Sequence, residues 1–186
     1  MNGKDLSISE YSSYIVFITG GTKSGKSEFA EHLANEIKKL SYVALSENNV
    51  DDKDWQDKIN IHRKRRPKDW KLIETTDLLN TLRKEEGPLL IDSIGGYVMK
   101  SIGKEQDEWS TIMNSLIGLL MKRRSITIIV GEQVGWSLVS EYKIGNTYIE
   151  RIGELQKRIT KISKDNWLAI NGRAIKIDEI SLEIPS

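Results

Sequence analysis

The 186-residue sequence predicts a three-layer α/β domain, a mostly parallel sheet with helices on both faces. Three observations predict it. Short apolar runs such as YIVFIT and SITIIVG have the composition of strands buried on both faces. Segments with helical spacing of apolar residues lie between them. Near the end, WLAI-NG-RAIKI reads as a hairpin, because Asn171-Gly172 suits a type I′ turn, and it adds one antiparallel edge strand.

The elements follow in chain order. The polar residues 1–13 lack the apolar run of a signal peptide and read as a disordered lead-in. One domain is expected over 14–186, with no linker or internal repeat to divide it. YIVFIT (Tyr14 to Thr19) is the first strand. In SEFAEHLANEIKKL, Phe29, Leu33, Ile37 and Leu40 recur at helical spacing. SYVALS (Ser41 to Ser46) is a second strand, and DKDWQDKINIH a helix with Trp55, Ile59 and His62 near one face. WKLIE is a short strand. TDLLNTLRK is a helix capped by Thr76 or Asp77. GPLLIDS is a strand ending at Asp92, and Gly95-Gly96 beyond it let a loop turn. DEWSTIMNSLIGLLMKRR is an amphipathic helix, followed by the strand SITIIVG. A last helix carries Ile149, Ile152, Leu155, Ile159 and Ile162 on one stripe. Trp55, Trp109 and Trp167 read as core.

Composition narrows the function classes. Lys plus Arg total 28 against 27 Asp plus Glu, a net charge of +1, which is not the balance of a chain built to coat nucleic acid. No apolar stretch approaches the length that spans a bilayer. Without cysteine there are no disulfides, thiolate metal sites or thiol nucleophiles, and a reducing cytoplasm suits the chain.

The turn after the first strand is GGTKSGKS, residues Gly20, Gly21, Thr22, Lys23, Ser24, Gly25, Lys26 and Ser27. It satisfies G-x-x-x-x-G-K-[ST] between a strand and a helix, the context that motif needs. Its backbone N–H groups can cradle phosphates. Lys26 can reach the β- and γ-phosphates, and the Ser27 hydroxyl can ligate Mg²⁺. The predicted fold is thereby a P-loop NTPase-like one. Asp92, at the end of an apolar strand, is the candidate for the second Mg²⁺-side oxygen; the competing reading is a helix cap. Kinases, ATPases, GTPases and regulators all use such a loop, so the motif alone names no reaction.

The stretch KINIHRKRRPKDW holds His62, one of only two histidines. A nucleic-acid patch, a solvated helix end and a catalytic histidine compete for it. Asp54, Asp57 and Asp69 interrupt the basic run, which weakens the first. Neighbouring cations disfavour the imidazolium and keep a histidine neutral and nucleophilic, which is what the third needs. His32, inside the first helix, reads as structural or surface. Trp136, just beyond a strand end, is either packing or a face for a flat ligand.

The chain resembles the adenosylcobinamide kinase/adenosylcobinamide-phosphate guanylyltransferase family of cobalamin biosynthesis over nearly its whole length. The resemblance rests on ITGGTKSGKSEFAE, on an acidic residue followed by K-I-x-x-H-R-x-x-R-P-x-x-W-x-x-I-E within Asp54 to Glu74, on LLIDSI at 89–94, and on QVGWSLVS at 133–140. It implies two reactions: phosphorylation of adenosylcobinamide by a nucleoside triphosphate, then transfer of GMP from GTP through a guanylylated histidine. His62 stands at the position of that histidine. Leu45, Ser46, Glu47, Arg63, Arg66 and Glu74 match nucleotide-contacting positions. The resemblance implies GTP (or ATP for the kinase step) with Mg²⁺, a corrinoid acceptor and a homo-oligomer, a trimer. The chain departs from the pattern N-E-V-G-x-G-I-V-P, for which it has Glu132-Gln133-Val134-Gly135-Trp136-Ser137-Leu138-Val139-Ser140. F-R-D-x-x-G and G-R-x-N-Q are likewise altered within 148–157. Two other functions stay open on the residues: a small-molecule kinase without guanylyl transfer, and a nucleotide-regulated binding protein.

Overall fold

A computed structural model describes residues 14–45, 67–136 and 140–185 of the chain. His62, Ser46, Glu47, Arg63, Arg66, Trp55 and the lead-in 1–13 lie outside the described residues, as does the helix expected over DKDWQDKINIH.

Seven strands form one sheet: β1 (Ile15–Gly20), β2 (Ser41–Ala44), β3 (Lys71–Glu74), β4 (Leu89–Asp92), β5 (Thr127–Glu132), β6 (Asp165–Ile170) and β7 (Arg173–Lys176). Their order is β3-β2-β4-β5-β1-β6-β7. Every pairing is parallel except β6 with β7. The helices are α1 (Lys26–Ala34), α2 (Leu78–Lys84), α3 (Gly95–Lys100), α4 (Gln106–Lys122) and α5 (Lys143–Ile162).

Successive side chains of a strand point to opposite faces, and here both faces are covered. Ile15 and Phe17 of β1 join Ile91, Ile129, Trp109, Leu116 and Leu155 in one core, roofed by α2 to α5. Val16 and Ile18 join Leu90, Ile128, Val130, Ala30 and Ala34 in the other, against α1. This is why the central strands read as continuous apolar runs. Helices on both faces give the three layers the sequence predicts.

Local sequence sets several boundaries. Asp77 caps α2, its carboxylate accepting the Asn80 N–H at 3.2 Å. Glu105 and Glu108 form a capping box at the start of α4. Asn171 and Gly172 take φ of 49° and 73° at the β6–β7 turn, the left-handed pair a type I′ turn requires.

Other expectations are corrected. The α1 helix stops at Ala34, before Ile37 and Leu40. The Ile37 N–H bonds to the Ala34 carbonyl at 2.9 Å and Lys39 turns left-handed at φ 55°, which swings Leu40 into the core ahead of β2. Gly95 and Gly96 do not make a loop; they open α3. A Cβ on Gly96 would lie 1.7 Å from the Leu45 carbonyl oxygen, so the helix can approach the end of β2 only on a glycine. The last helix begins at Lys143, earlier than its stripe suggests. Trp109 is fully buried, but Trp167 is only partly so, edge-on to Phe29 at 5.1 Å. Among the described residues, no helix is long and apolar enough to cross a membrane.

Candidate active site

The carboxyl ends of the six parallel strands β1 to β6 share one edge of the sheet, because Gly20 pairs with Glu132 and Ala169, and Ala44 with both Glu74 and Asp92. Ligands of open α/β sheets gather at such an edge. The glycine-rich loop leaves it at Gly20.

Two glycines make the loop possible. A Cβ on Gly20 would sit 2.4 Å from the Ala169 carbonyl oxygen and 2.6 Å from Ser24 Oγ. Gly25 adopts φ 93°, which carries the chain from the loop into α1. Lys23, at φ 56°, adds a second left-handed turn. Gly25 is the N-cap of α1 and has no side chain to satisfy the first helical amides, so these point outward as anion donors. The hairpin turn braces the loop from the side, the Gly172 N–H donating to the Ser24 carbonyl at 3.0 Å.

The Lys26 ammonium folds back over the loop and donates to the Gly21 carbonyl at 3.1 Å. It therefore stands over the concavity formed by the loop amides, where phosphate charge would lie. Ser27, one residue on, faces β4. Its hydroxyl donates to Asp92 Oδ1 at 3.2 Å, across the intervening strand β5. The other Asp92 oxygen accepts the Tyr42 hydroxyl at 2.5 Å. These bonds aim the carboxylate at Ser27. Asp92 caps no helix by a side-chain bond, since α3 has Ile94 at its N-cap and no side-chain cap. A hydroxyl and a carboxylate side by side fit Mg²⁺, which is usually held by one or two protein oxygens with phosphates and water completing its shell.

Glu132 ends β5, between the P-loop strand and β4. Burial pushes its carboxyl upward from the usual range; the Ser93 hydroxyl and the Lys26 charge pull it down, while Asp92 adds to the rise. Burial likewise pushes the nearby Tyr148 phenol up to about 12, with the Glu132 charge adding to it. Tyr42 and Glu132 were not legible as site residues. The signal for Tyr42 is its place two residues before Ala44, the register partner of Asp92, which puts both side chains on one face.

The structure brings Gly20 to Ser27 and Asp92 together. It does not bring Glu74 to them. β3 lies four strand positions from β1, roughly 19 Å at about 4.8 Å per strand. Leu45 turns its side chain into the core and its carbonyl toward Gly96. Residues 46–66, which include His62, lie outside the described residues; the described chain before them ends at Leu45, just beyond β2. His32 is exposed, as is Trp136 at 65%.

Comparison with known proteins adds to this geometry. The chain is 24% identical over 181 residues to a bifunctional adenosylcobalamin biosynthesis protein of Escherichia coli K12, covering 88% of this chain and 99% of that one. The Salmonella typhimurium protein of the same name matches at the same identity and coverage. A bifunctional adenosylcobalamin biosynthesis protein of Pseudomonas aeruginosa is 28% identical over 150 residues, 77% of this chain and 86% of that one. Among solved structures, an ATPase of a bacterial type III secretion system aligns with a TM-score of 0.55 at 14% identity, over 89% of this chain and 58% of that one. A Pyrococcus horikoshii protein aligns at 0.54 with 8% identity, over 95% and 94%. These two likenesses bear on the fold alone. The sequence profile of cobinamide kinase / cobinamide phosphate guanyltransferase matches residues 16–177. That span takes in the P-loop, the His62 segment, Asp92 and the C-terminal hairpin, and the chain belongs to the cobinamide kinase / cobinamide phosphate guanyltransferase family.

Proposed function

We propose that this chain phosphorylates adenosylcobinamide and then transfers GMP from GTP to the product, through His62, giving adenosylcobinamide-GDP. The observation that carries the reading is the arrangement of Lys26, Ser27 and Asp92 around a glycine-shaped loop. It lies in a chain whose family membership spans the His62 segment.

In the kinase step, the loop amides and Lys26 hold the triphosphate, and Ser27 with Asp92 holds the Mg²⁺ side. The metal, when bound, neutralises charge on the phosphate oxygens. The substrate hydroxyl attacks the γ-phosphorus and loses its proton to water, the bond to the bridging oxygen breaks, and a nucleoside diphosphate leaves. In the second step, a neutral His62 ring nitrogen attacks the α-phosphorus of GTP. A P–N bond forms, the α–β bridging P–O bond breaks, and pyrophosphate departs. A phosphate oxygen of adenosylcobinamide phosphate then attacks the same phosphorus and displaces the histidine. Two in-line displacements replace one between two bulky anions. Arg63 and Arg66 neutralise charge on the phosphates. Leu45, through its backbone, and Glu74 lie toward the β2–β3 end of the edge, and we assign them to the guanosine together with Ser46 and Glu47.

The reading extends to a single domain over 14–186, a cytoplasmic setting and a trimer. Exposed Trp136, Tyr142 and Ile144 offer apolar area for a subunit contact.

The test uses GTP labelled at the α-phosphate, with Mg²⁺, on wild type and His62→Ala. Wild type should retain label after denaturation, stable in alkali and lost in acid as a phosphoramidate is; His62→Ala should retain none. Bound GTP without retained label on wild type refutes guanylyl transfer. Phosphorylation of adenosylcobinamide would then decide between a simple kinase and a binding protein.

A further inference from the structure

We infer that Glu132 is a positioning residue: its carboxylate clamps the turn that follows β4 and thereby sets where Asp92 stands opposite Ser27. The inference rests on the reading of Ser27 and Asp92 as the Mg²⁺-side pair.

Asp92 is the last residue of β4, and the chain must turn at once into α3 at Gly95. A side chain at such a strand end is only as well placed as the turn behind it. Glu132 grips that turn twice. One of its oxygens accepts the Ser93 hydroxyl, and the other accepts the Gly95 N–H at 3.1 Å. The space for the grip is built in. A Cβ on Gly95 would lie 2.6 Å from Glu132 Oε1 and 2.4 Å from the Tyr148 hydroxyl, so only glycine admits the carboxylate here.

Glu132 is itself held from the P-loop side. Its backbone carbonyl accepts Gln156 Nε2 at 2.7 Å. Gln156 Oε1 accepts the Thr19 hydroxyl at 3.1 Å and Gln133 Nε2 at 3.3 Å. The Gln133 N–H donates to the Gly20 carbonyl at 2.9 Å. Thr19 and Gln156 are buried, where such bonds are hard to replace with water. One network thus runs from the strand that feeds the P-loop, through the last residue of β5, to the turn after Asp92. It ties the two halves of the proposed metal site across the strand that separates them. Mg²⁺ demands near-ideal octahedral geometry at short distances, so it is sensitive to how its carboxylate is oriented.

The experiment compares wild type, Glu132→Met and Ser93→Ala as full-length chains. Methionine is close to glutamate in length but offers no carboxylate or amide oxygen to accept from Ser93 or Gly95, whereas a glutamine could keep the Gly95 bond with its oxygen and donate to Ser93. The first readout is amide hydrogen exchange at Gly95 without nucleotide or metal; Glu132→Met should raise it about tenfold or more, as expected when a local hydrogen bond is lost. The second is the Mg²⁺ concentration that half-saturates tightening of a fluorescent GTP analogue. It should rise about tenfold, within the range lost with outer-shell partners, while affinity for the analogue in EDTA stays unchanged. Ser93→Ala removes one donor without touching the carboxylate, so it should move both readouts the same way by less. It also keeps the inference testable if Glu132→Met fails to fold.

Unchanged Gly95 exchange overturns the clamp. Raised exchange with an unchanged Mg²⁺ midpoint overturns its link to Asp92. Parallel loss of metal-free nucleotide affinity and of thermal stability overturns it in favour of a general packing role. Asp92→Asn is the control for the underlying reading. If that variant keeps the wild-type Mg²⁺ midpoint, the metal pair is wrong, and the Gly95 exchange still reports on the clamp by itself.

Discussion

Replacing Gly20 by alanine tests the steric account of the phosphate loop. The added Cβ would lie 2.4 Å from the Ala169 carbonyl oxygen, where ordinary contact begins near 3.4 Å. The obstacle is backbone in β6, paired in register with Gly20 itself, so it cannot rotate away as a flexible side chain can. Either the loop or the hairpin must shift by about 1 Å. Overpacking of this kind costs about 1–3 kcal/mol. In a chain of this length each kcal/mol moves Tm by about 2–4 °C, so a fall of roughly 2–12 °C is expected by calorimetry. The loop amides shift with Gly20. Misplacing one or two phosphate hydrogen bonds, each worth about 1 kcal/mol, should weaken nucleotide binding about 5- to 30-fold by titration calorimetry. A Gly20→Ala protein with wild-type Tm and wild-type nucleotide affinity would refute the reasoning.

Two further substitutions have opposite or conditional outcomes. Gly118, inside α4, has nothing within 4 Å of the position a Cβ would take, so Gly118→Ala should raise stability by about 0.5–1 kcal/mol in urea melts. Glu85 accepts the Lys71 ammonium at 2.6 Å and the Ser41 hydroxyl at 3.1 Å, and the bond from Lys71 holds its carboxyl below the usual range despite opposing burial. A carboxylate with a depressed folded-state pKa contributes stability above its unfolded pKa, and loses it as pH falls through the folded value. Glu85→Gln should therefore cost up to about 1 kcal/mol at pH 7, since Lys71 is largely solvated. The deficit should shrink below about pH 4.3; the same deficit at pH 3 and pH 7 would contradict the assignment.

The features that were legible in the sequence are those set by neighbours in the chain. The Asp77 cap, the Asn171-Gly172 turn and the apolar seam of α4 each depend on residues a few positions apart. The GGTKSGKS loop belongs with them, because the strand before it and the helix after it are local. Buried charge was not legible. Arg151 stands in the amphipathic α5 and is nonetheless buried. Its guanidinium lies 5.4 Å from the centre of the Trp109 ring and donates to the carbonyls of Ser101 at 2.5 Å and Ile102 at 3.2 Å. Arg123 does the same for the carbonyls of Glu85 and Gly87, and burial pulls its pKa down. In each case loop carbonyls with no strand partner recruit an arginine from 36 to 50 residues away. Nothing in the local pattern marks that need.

The sequence by itself determined the fold class and the phosphate loop. Strand and helix periods, together with one motif in its proper context, need only short-range geometry. With the match over residues 16–177, it also determined the family. Tertiary structure alone decided how the edge of the sheet is assembled. Strand order places β5 between the P-loop strand and β4. That order makes Ser27 and Asp92 meet across Glu132, and puts Glu74 at the far end of the same edge. Which strands neighbour one another is settled by packing both faces of the sheet at once, and no residue carries that information alone.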